Sequence, residues 1–172
     1  FDTLALAPAA VKRQVFTPNY IHHIEPQEGA GLPLWMDWHL KGKAAWPRSP
    51  EIAITGLEHV PLVEVTPDDA GEVTEVRLFY NLGHSWPPAR LWRSIHDIRS
   101  DGRIWTGPAP YTRDSDVIHA YASVTYRSGV TISSSLRTIS ARNLPAAAPT
   151  LKPSAMIDPM DVFRPSFQYS FL

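Results

Sequence analysis

Short runs of β-branched and aromatic residues, separated by tight turn signals, fill the chain from residue 51 to residue 139. This spacing constrains the fold most, because such short connections favour antiparallel neighbours over parallel strands that need helical crossovers. The runs cover residues 51–55, 62–66, 72–80, 90–95, 103–106, 117–126 and 130–139, with turn signals at 67–69, 81–83, 100–102 and 128–129. We therefore predict a mainly β fold, a seven-stranded antiparallel β-sandwich of the immunoglobulin-like kind, over residues 47–143.

Two of these runs indicate which side chains face the core. Hydrophobic and polar positions alternate along residues 72–80, as expected of a strand that is buried on one face. In residues 117–126 the predicted inward row is Ile118, Ala120, Ala122, Val124 and Tyr126. A Ser-Gly pair then follows, which predicts a hairpin turn between Tyr126 and Val130.

The part that precedes the sandwich has a different pattern. Residues 32–40 (LPLWMDWHL) have apolar side chains at helical spacing, which predicts a helix with Pro33 in its first turn and Gly42 as its C-cap. We expect the apolar face to be buried and Trp35 to belong to a core. Residues 11–17 predict a short strand, and Pro47 and Pro50 indicate a domain boundary after residue 46.

Residues 144–172 form a third segment, which is rich in proline and alanine and ends in several aromatic residues. Phe163, Phe167, Tyr169 and Phe171 are too many aromatic side chains for a solvated tail. We expect this tail to pack against another part of the protein or against other subunits.

Composition excludes several classes of function. A formal net charge of −1 and the lack of a basic stripe argue against nucleic acid as a partner. The chain has no cysteine, so disulfides and thiolate metal sites are excluded. No apolar run approaches the roughly 18 residues that a transmembrane helix needs. Because the sequence starts at Phe1, we expect an upstream portion to be missing.

The most chemically suggestive stretch is residues 15–25 (VFTPNYIHHIE). A strand that ends and passes a histidine to the following loop is the arrangement with which an α/β-hydrolase places its general base. Imidazole suits that role because its pKa lies close to neutral pH. In such enzymes the histidine comes after the serine and the acid in the chain, which agrees with a missing upstream portion.

Several segments resemble a known family. Residues 17–22 (TPNYIH) resemble the Pro-Asn-x-x-His segment of α/β-hydrolases of the PhoPQ-activated pathogenicity-related type and of secreted acetylxylan-esterase-like proteins. Residues 35–42 (WMDWHLKG) resemble the closing helix of many serine hydrolases. Residues 76–80, 90–93 and 121–126, together with Trp105, look like the β-sandwich that follows the hydrolase domain in such proteins. The resemblance covers residues 11–140.

The resemblance implies that residues 1–46 are the C-terminal remnant of an α/β-hydrolase domain, including its last strand and helix. By position, the family's catalytic histidine falls on His22, with the adjacent His23 as the alternative. The chain would then be the C-terminal portion of a serine-type ester or peptide hydrolase, with the sandwich as an accessory domain. No Gly-x-Ser-x-Gly motif occurs in these 172 residues, so the serine and the acid must come from an upstream hydrolase domain.

Two alternatives remain open at this stage. The first alternative to the hydrolase is a non-enzymatic structural subunit derived from one. The second is a carbohydrate-binding module centred on Trp86, whose ring would stack on a sugar. We expect Trp92 and Trp105, like most strand tryptophans, to lie in the core. We predict no metal and no cofactor, because the histidines are scattered and the aspartates lie in turn-like places. The family resemblance favours a secreted or periplasmic location.

Overall fold

A computed structural model of the protein describes residues 12–19, 26–42, 46–57, 60–83, 91–110 and 117–144. Its elements in chain order are α1 (Pro26–Lys41), β1 (Glu51–Leu57), β2 (Val60–Thr66), β3 (Val73–Leu82), β4 (Arg93–Ile95), β5 (Arg99–Ser100), β6 (Trp105–Pro108), β7 (Val117–Tyr126), β8 (Thr131–Ser133), β9 (Arg137–Ser140) and a 3₁₀ turn (Ala141–Asn143). The mainly β prediction is confirmed.

The strands form two antiparallel sheets that enclose one core. Sheet A has the order β1-β2-β6-β5, and sheet B has the order β4-β3-β7-β8, with β9 also paired to β7. The predicted inward row of β7 is confirmed, since all five of its side chains are buried in the main core. They pack with Val63 and Val65 from sheet A and with Leu78 from β3. Burial of this apolar surface between the sheets is the main source of stability.

The structure has nine strands among the described residues, where we predicted seven. One addition is β5, a two-residue edge strand. The other arises because the predicted strand at 130–139 is divided into β8 and β9. Residues 134–136 face only two residues of β7, Tyr121 and Ala122, as the registers on either side show. Three residues therefore lie opposite two, and the extra residue makes a β-bulge. Within the bulge, Ser134 Oγ accepts a hydrogen bond from the N–H of Ala122 at 2.9 Å.

The predicted hairpin at residues 126–130 is also confirmed. Tyr126 N–H donates to Val130 O and Gly129 N–H donates to Tyr126 O, each at 2.8 Å. Gly129 has a φ of 84°, a conformation that glycine adopts without steric cost.

Helix α1 begins earlier than the sequence predicted, at Pro26 instead of residue 32. Pro33 therefore lies inside the helix, where its ring removes one backbone hydrogen bond, and does not lie in the first turn. The helix ends where expected, because Gly42 follows Lys41 with a left-handed φ of 61°. Lys41 also forms a salt bridge with Asp37 one turn earlier, at 2.7 Å.

The predicted strand at 11–17 is wrong for the residues that the structure describes. Residues 12–19, which we call the arm, lie against β8 of the sandwich and form no regular strand. Gln14 O accepts the N–H of Ser133 at 2.8 Å, but the N–H of Phe16 donates to the side-chain Oγ of Ser133 at 2.9 Å. A side chain thus takes the place of the next ladder bond, and the ladder does not extend.

A buried carboxylate fixes the chain between α1 and the sandwich. The Asp68 side chain is only 5% exposed, and it accepts hydrogen bonds from Arg48 N at 3.0 Å and Arg48 Nε at 2.8 Å. The backbone N–H of Asp68 donates to Tyr126 Oη, and Arg13 Nε of the arm donates to Pro47 O nearby. Burial by itself would raise the pKa of Asp68, but the hydrogen bonds from Arg48 outweigh burial and lower it.

This lowered pKa predicts an acid-sensitive contribution to stability. A carboxyl group with a depressed pKa in the folded state stabilises the protein above its ordinary pKa, and this stabilisation is lost as pH falls below about 4. We expect Asp68→Asn to lower the urea midpoint at pH 7 and to flatten its fall between pH 5 and pH 3. The exposed change Asp69→Asn is the control. A wild-type pH dependence in Asp68→Asn would contradict this account.

Candidate functional site

The arm covers a second aromatic cluster, on the face of sheet B that points away from the main core. This cluster consists of Phe79, Trp92 and Tyr121, with Phe16 of the arm packed against them. The Phe79 and Tyr121 rings are stacked with centroids 4.9 Å apart, and Trp92 meets Tyr121 edge-on at 4.7 Å. Phe16 closes the cluster edge-on to Tyr121 at 5.0 Å. The arm is therefore held by aromatic packing as well as by hydrogen bonds.

The arm ends in a turn that is tied to the sandwich by one side chain. Asn19 Nδ2 donates to Trp92 O and the N–H of Trp92 donates to Asn19 Oδ1, both at 2.8 Å. The amide of Asn19 thus reproduces the paired hydrogen bonds of an antiparallel ladder. Asn19 also has a φ of 60°, a left-handed conformation that asparagine tolerates better than most residues. The sequence motif contained Asn19, but only the structure reveals this anchoring role.

The main chain to which Asn19 binds is itself held in place. Asn81 of β3 is buried, and its Nδ2 donates to Leu91 O at 2.8 Å. Two residues later, the N–H of Gly83 donates to Val117 O at 2.8 Å. Asn19, Gly83, Leu91 and Val117, each of which borders one of the undescribed intervals, therefore lie near one end of sheet B. The candidates His22 and Trp86 belong to two of these intervals and lie outside the described residues.

Helix α1 exposes the apolar stripe that we expected to be buried. Leu32 is 63% exposed, Met36 44% and Leu40 74%, and their spacing of four residues places them along one side of the helix. Among the described residues, four of the five exposed large hydrophobic side chains lie on α1, and the fifth is Leu91. Single apolar residues scattered on a surface are normal, whereas these side chains are concentrated on one helix.

The tryptophans are distributed differently from the prediction in one respect. Trp92 is buried and Trp105 packs against the main core, as predicted. Trp35, which we expected in a core, is half-buried on α1, with its ring 4.0 Å from that of His39. Trp38 of the same helix lies 6.4 Å from Trp46. Trp46 itself packs against the main core, so this contact links α1 to the sandwich, which α1 also approaches at β8.

The remaining predicted site residues are not tested by the structure. His23 and the aromatic residues of the C-terminal tail lie outside the described residues, as do His22 and Trp86. In the part of the chain that is described, no group of three or more histidine and acidic side chains is arranged to hold a metal ion. No described helix is both long and apolar enough to cross a membrane.

Comparison with known proteins adds little to this geometry. No protein-family model matches the chain, and no curated protein sequence matches it. Among solved structures, the bromine derivative of BhCBM56, a carbohydrate-binding module, aligns with 54% of this chain and 91% of its own, at 14% identity and a TM-score of 0.40. Similarity at this level assigns neither a family nor a function.

Proposed function

We propose that this chain is the C-terminal portion of a serine-type ester or peptide hydrolase. In this proposal His22 is the general base, and the β-sandwich is an accessory domain that braces the catalytic part. The proposal rests on the sequence resemblance, and one structural observation carries it further. That observation is the exposed apolar stripe of α1, formed by Leu32, Met36 and Leu40.

The stripe supports the proposal because the sequence of α1 has a low intrinsic helix propensity. Its first half contains Gly29, Gly31 and Pro33, which are among the poorest helix formers. Isolated helices of about this length are marginal in water and gain most of their stability from packing. A helix that exposes its apolar stripe along the described chain therefore fits a closing helix whose partner surface belongs to a catalytic domain.

The proposed chemistry divides the work between two parts of the polypeptide. The residues before Phe1 would supply the nucleophilic serine and the acid of the triad. His22 would take the proton from the serine hydroxyl as that oxygen attacks the substrate carbonyl, and would then give the proton to the leaving group. Because the arm packs on the sandwich, the catalytic sheet would lie beside α1 and not beside the arm.

The test begins with the gene and continues with an activity measurement. The residues encoded before Phe1 are read for a Gly-x-Ser-x-Gly motif, and the complete polypeptide is assayed with p-nitrophenyl acetate. We expect hydrolysis that falls at least about 100-fold in His22→Ala, because general base catalysis contributes that much or more. The matched control is the neighbouring change His23→Ala, which we expect to leave the rate unchanged.

Two results would contradict the proposal. Equal activity in His22→Ala and His23→Ala removes the assigned base. Absence of both an upstream serine motif and ester hydrolysis favours the second hypothesis, a non-enzymatic subunit that uses the same stripe of α1 as a docking surface.

A further inference from the structure

We propose that the open edge of β1 binds an extended, basic peptide segment of a partner protein and that the side chain of Arg137 closes this edge when no peptide is bound. The peptide would add one strand to sheet A beside β1. A lysine or arginine of the peptide would lie opposite Ala53 and reach the carboxylate of Glu64. The site uses none of the residues of the hydrolase proposal, so the two can be tested separately.

Strand β1 presents the longest open edge among the described strands. It is seven residues long, lies at the end of sheet A and pairs there with β2 alone. A bulge, a proline or a lysine commonly prevents an edge strand from accepting another strand. The pairing with β2 runs without a bulge from Glu51 to Leu57, and β1 contains neither proline nor lysine. The strand therefore lacks these permanent forms of protection.

The neighbouring strand shows which backbone groups point into the open edge. Pro61 O of β2 accepts the N–H of Ala109, just after β6, so the odd-numbered residues of β2 direct their backbone groups toward β6. The even-numbered residues of β2 then bond to β1, where they lie opposite its odd-numbered residues. The N–H and C=O groups of Ile52 and Ile54 consequently point away from β2, into the open edge.

One side chain closes this edge. Arg137, the first residue of β9, donates from Nε to Ile52 O at 3.0 Å and so bridges the gap between the two sheets. It thereby occupies one of the acceptors that an added strand would use. Arg137 is itself exposed, so water or a competing N–H donor can replace this bond at little net cost. The closure is therefore reversible, unlike a bulge or a proline.

A cleft of about 580 Å³ lies along the same edge of β1. Its lining includes Gln14 of the arm and Ser135 from the side of sheet B, together with Ser49 and Thr66 from the side of sheet A. Most of the lining side chains are polar, which suits a bound backbone and not an apolar ligand. Once Arg137 has moved, an added strand would occupy a space that already exists.

The charges beside the cleft favour a basic peptide. Ile52 and Ile54 face the main core, so Glu51 and Ala53 point to the opposite face of sheet A, where Ala53 lies opposite Glu64. Glu64 Oε1 accepts a hydrogen bond from Thr55 Oγ1 at 2.8 Å, which holds its carboxylate on this face. The methyl group of Ala53 is short. A long cationic side chain on an added strand therefore passes over it to Glu64, with Glu51 as the diagonal neighbour.

The test measures the binding of short peptides to the complete polypeptide by fluorescence anisotropy. The probe is a labelled heptapeptide of alternating threonine and lysine, blocked at both ends, whose lysines share one face of an extended strand. We expect saturable binding. A peptide with glutamate in place of lysine should bind at least about 10-fold more weakly, because like charges then face each other across the interface.

Methylation of the peptide backbone tests the strand pairing and its register. With lysine opposite Ala53, the threonine amides face Ile52 and Ile54 and donate to β1, whereas the lysine amides point away. N-methylation of the threonines should therefore weaken binding at least about 10-fold, because it removes those donors. N-methylation of the lysines is the matched control and should weaken it much less. Hydrogen exchange at the amides of Ile52 and Ile54 should slow when the lysine peptide binds.

Two substitutions test the protein side of the site. Glu64→Gln should weaken binding of the lysine peptide about three- to tenfold, because it removes the carboxylate that the lysine reaches. The matched control is Glu75→Gln, the same change at an exposed position of sheet B, which should leave binding unchanged. Arg137→Ala should strengthen binding, because the peptide no longer has to displace Nε from Ile52 O.

Several results would overturn this inference. Absence of binding, equal binding of the lysine and glutamate peptides, or equal effects of the two methylation patterns would each exclude the proposed strand addition. Equal losses in Glu64→Gln and Glu75→Gln would show general charge attraction without a site. Unchanged or weaker binding in Arg137→Ala would exclude the closing role of Arg137. None of these measurements depends on ester hydrolysis, so failure here leaves the proposed function standing, and the reverse also holds.

Discussion

Tyr121→Ala should lower the free energy of unfolding by about 3–5 kcal/mol, the range for removing a large buried aromatic ring. Tyr121 is fully buried, and its ring contacts Phe16, Phe79 and Trp92. The substitution therefore leaves a cavity at the centre of the cluster that joins the arm to sheet B. Since whole domains are stable by only about 5–15 kcal/mol, we expect a large fall in the urea midpoint.

The substitution should also release the arm before the sandwich unfolds. We expect the Ser133 amide, which donates to Gln14 O, to exchange faster with solvent, while amides of the main core stay protected. Tyr126→Phe is the control, because it keeps a buried ring and removes only the hydroxyl that accepts the N–H of Asp68. That change should cost about 0.5–1.5 kcal/mol. Equal losses in the two variants would show that the aromatic cluster does not organise the arm.

Gly107→Ala should destabilise the protein by about 1–3 kcal/mol because it overpacks the space between the sheets. Replacing glycine by alanine is otherwise usually stabilising, since alanine loses less conformational entropy on folding. Gly107 lies in β6 and faces the other sheet. A Cβ atom there would lie 2.5 Å from Ile95 Cγ2 and 3.2 Å from Leu78 Cδ1. Ile95 is β-branched and has little rotamer freedom with which to move away. The two sheets must therefore separate or shift locally to admit one methyl group.

Gly31→Ala provides the matched control for this prediction. A Cβ atom at Gly31 would meet nothing within 4 Å, and the residue lies inside α1. The same chemical change should therefore stabilise the protein, by up to about 1 kcal/mol. Chemical denaturation of the two variants should show midpoints that move in opposite directions. A midpoint in Gly107→Ala at or above the wild-type value would contradict the tight approach of the sheets.

The fold could be predicted largely from local patterns. The bounds of β7 were predicted to the residue, because its alternation, its β-branched side chains and the following Ser-Gly turn all indicate the same strand. The bulge at residues 134–136 could not be predicted, because it depends on Ser134 satisfying the Ala122 N–H from a neighbouring strand. The start of α1 was missed because Gly29, Gly31 and Pro33 disfavour a helix locally.

The candidate site was less accessible to sequence analysis. The motif contains Asn19, but nothing in the sequence connects that residue to Trp92, which is 73 residues away. Trp92 was correctly assigned to a core, but that core is a second cluster, against which Phe16 of the arm and Leu136 pack. The strand predicted at 11–17 failed because, among the described residues, only one backbone hydrogen bond to β8 forms, from Ser133 N–H to Gln14 O, and the next donor, Phe16 N–H, bonds to the side chain of Ser133.

The position of the arm also determines where the sandwich can be separated from the rest of the polypeptide. Pro47 and Pro50 suggest a domain boundary near residue 47. A truncation there would nevertheless remove Phe16 and expose the rings of Tyr121 and Trp92. It would also remove Arg13 and Gln14, whose hydrogen bonds secure Pro47 and Ser134. We therefore expect a sandwich that begins at residue 47 to be less stable than one that keeps the arm, because it exposes an aromatic cluster that the arm covers.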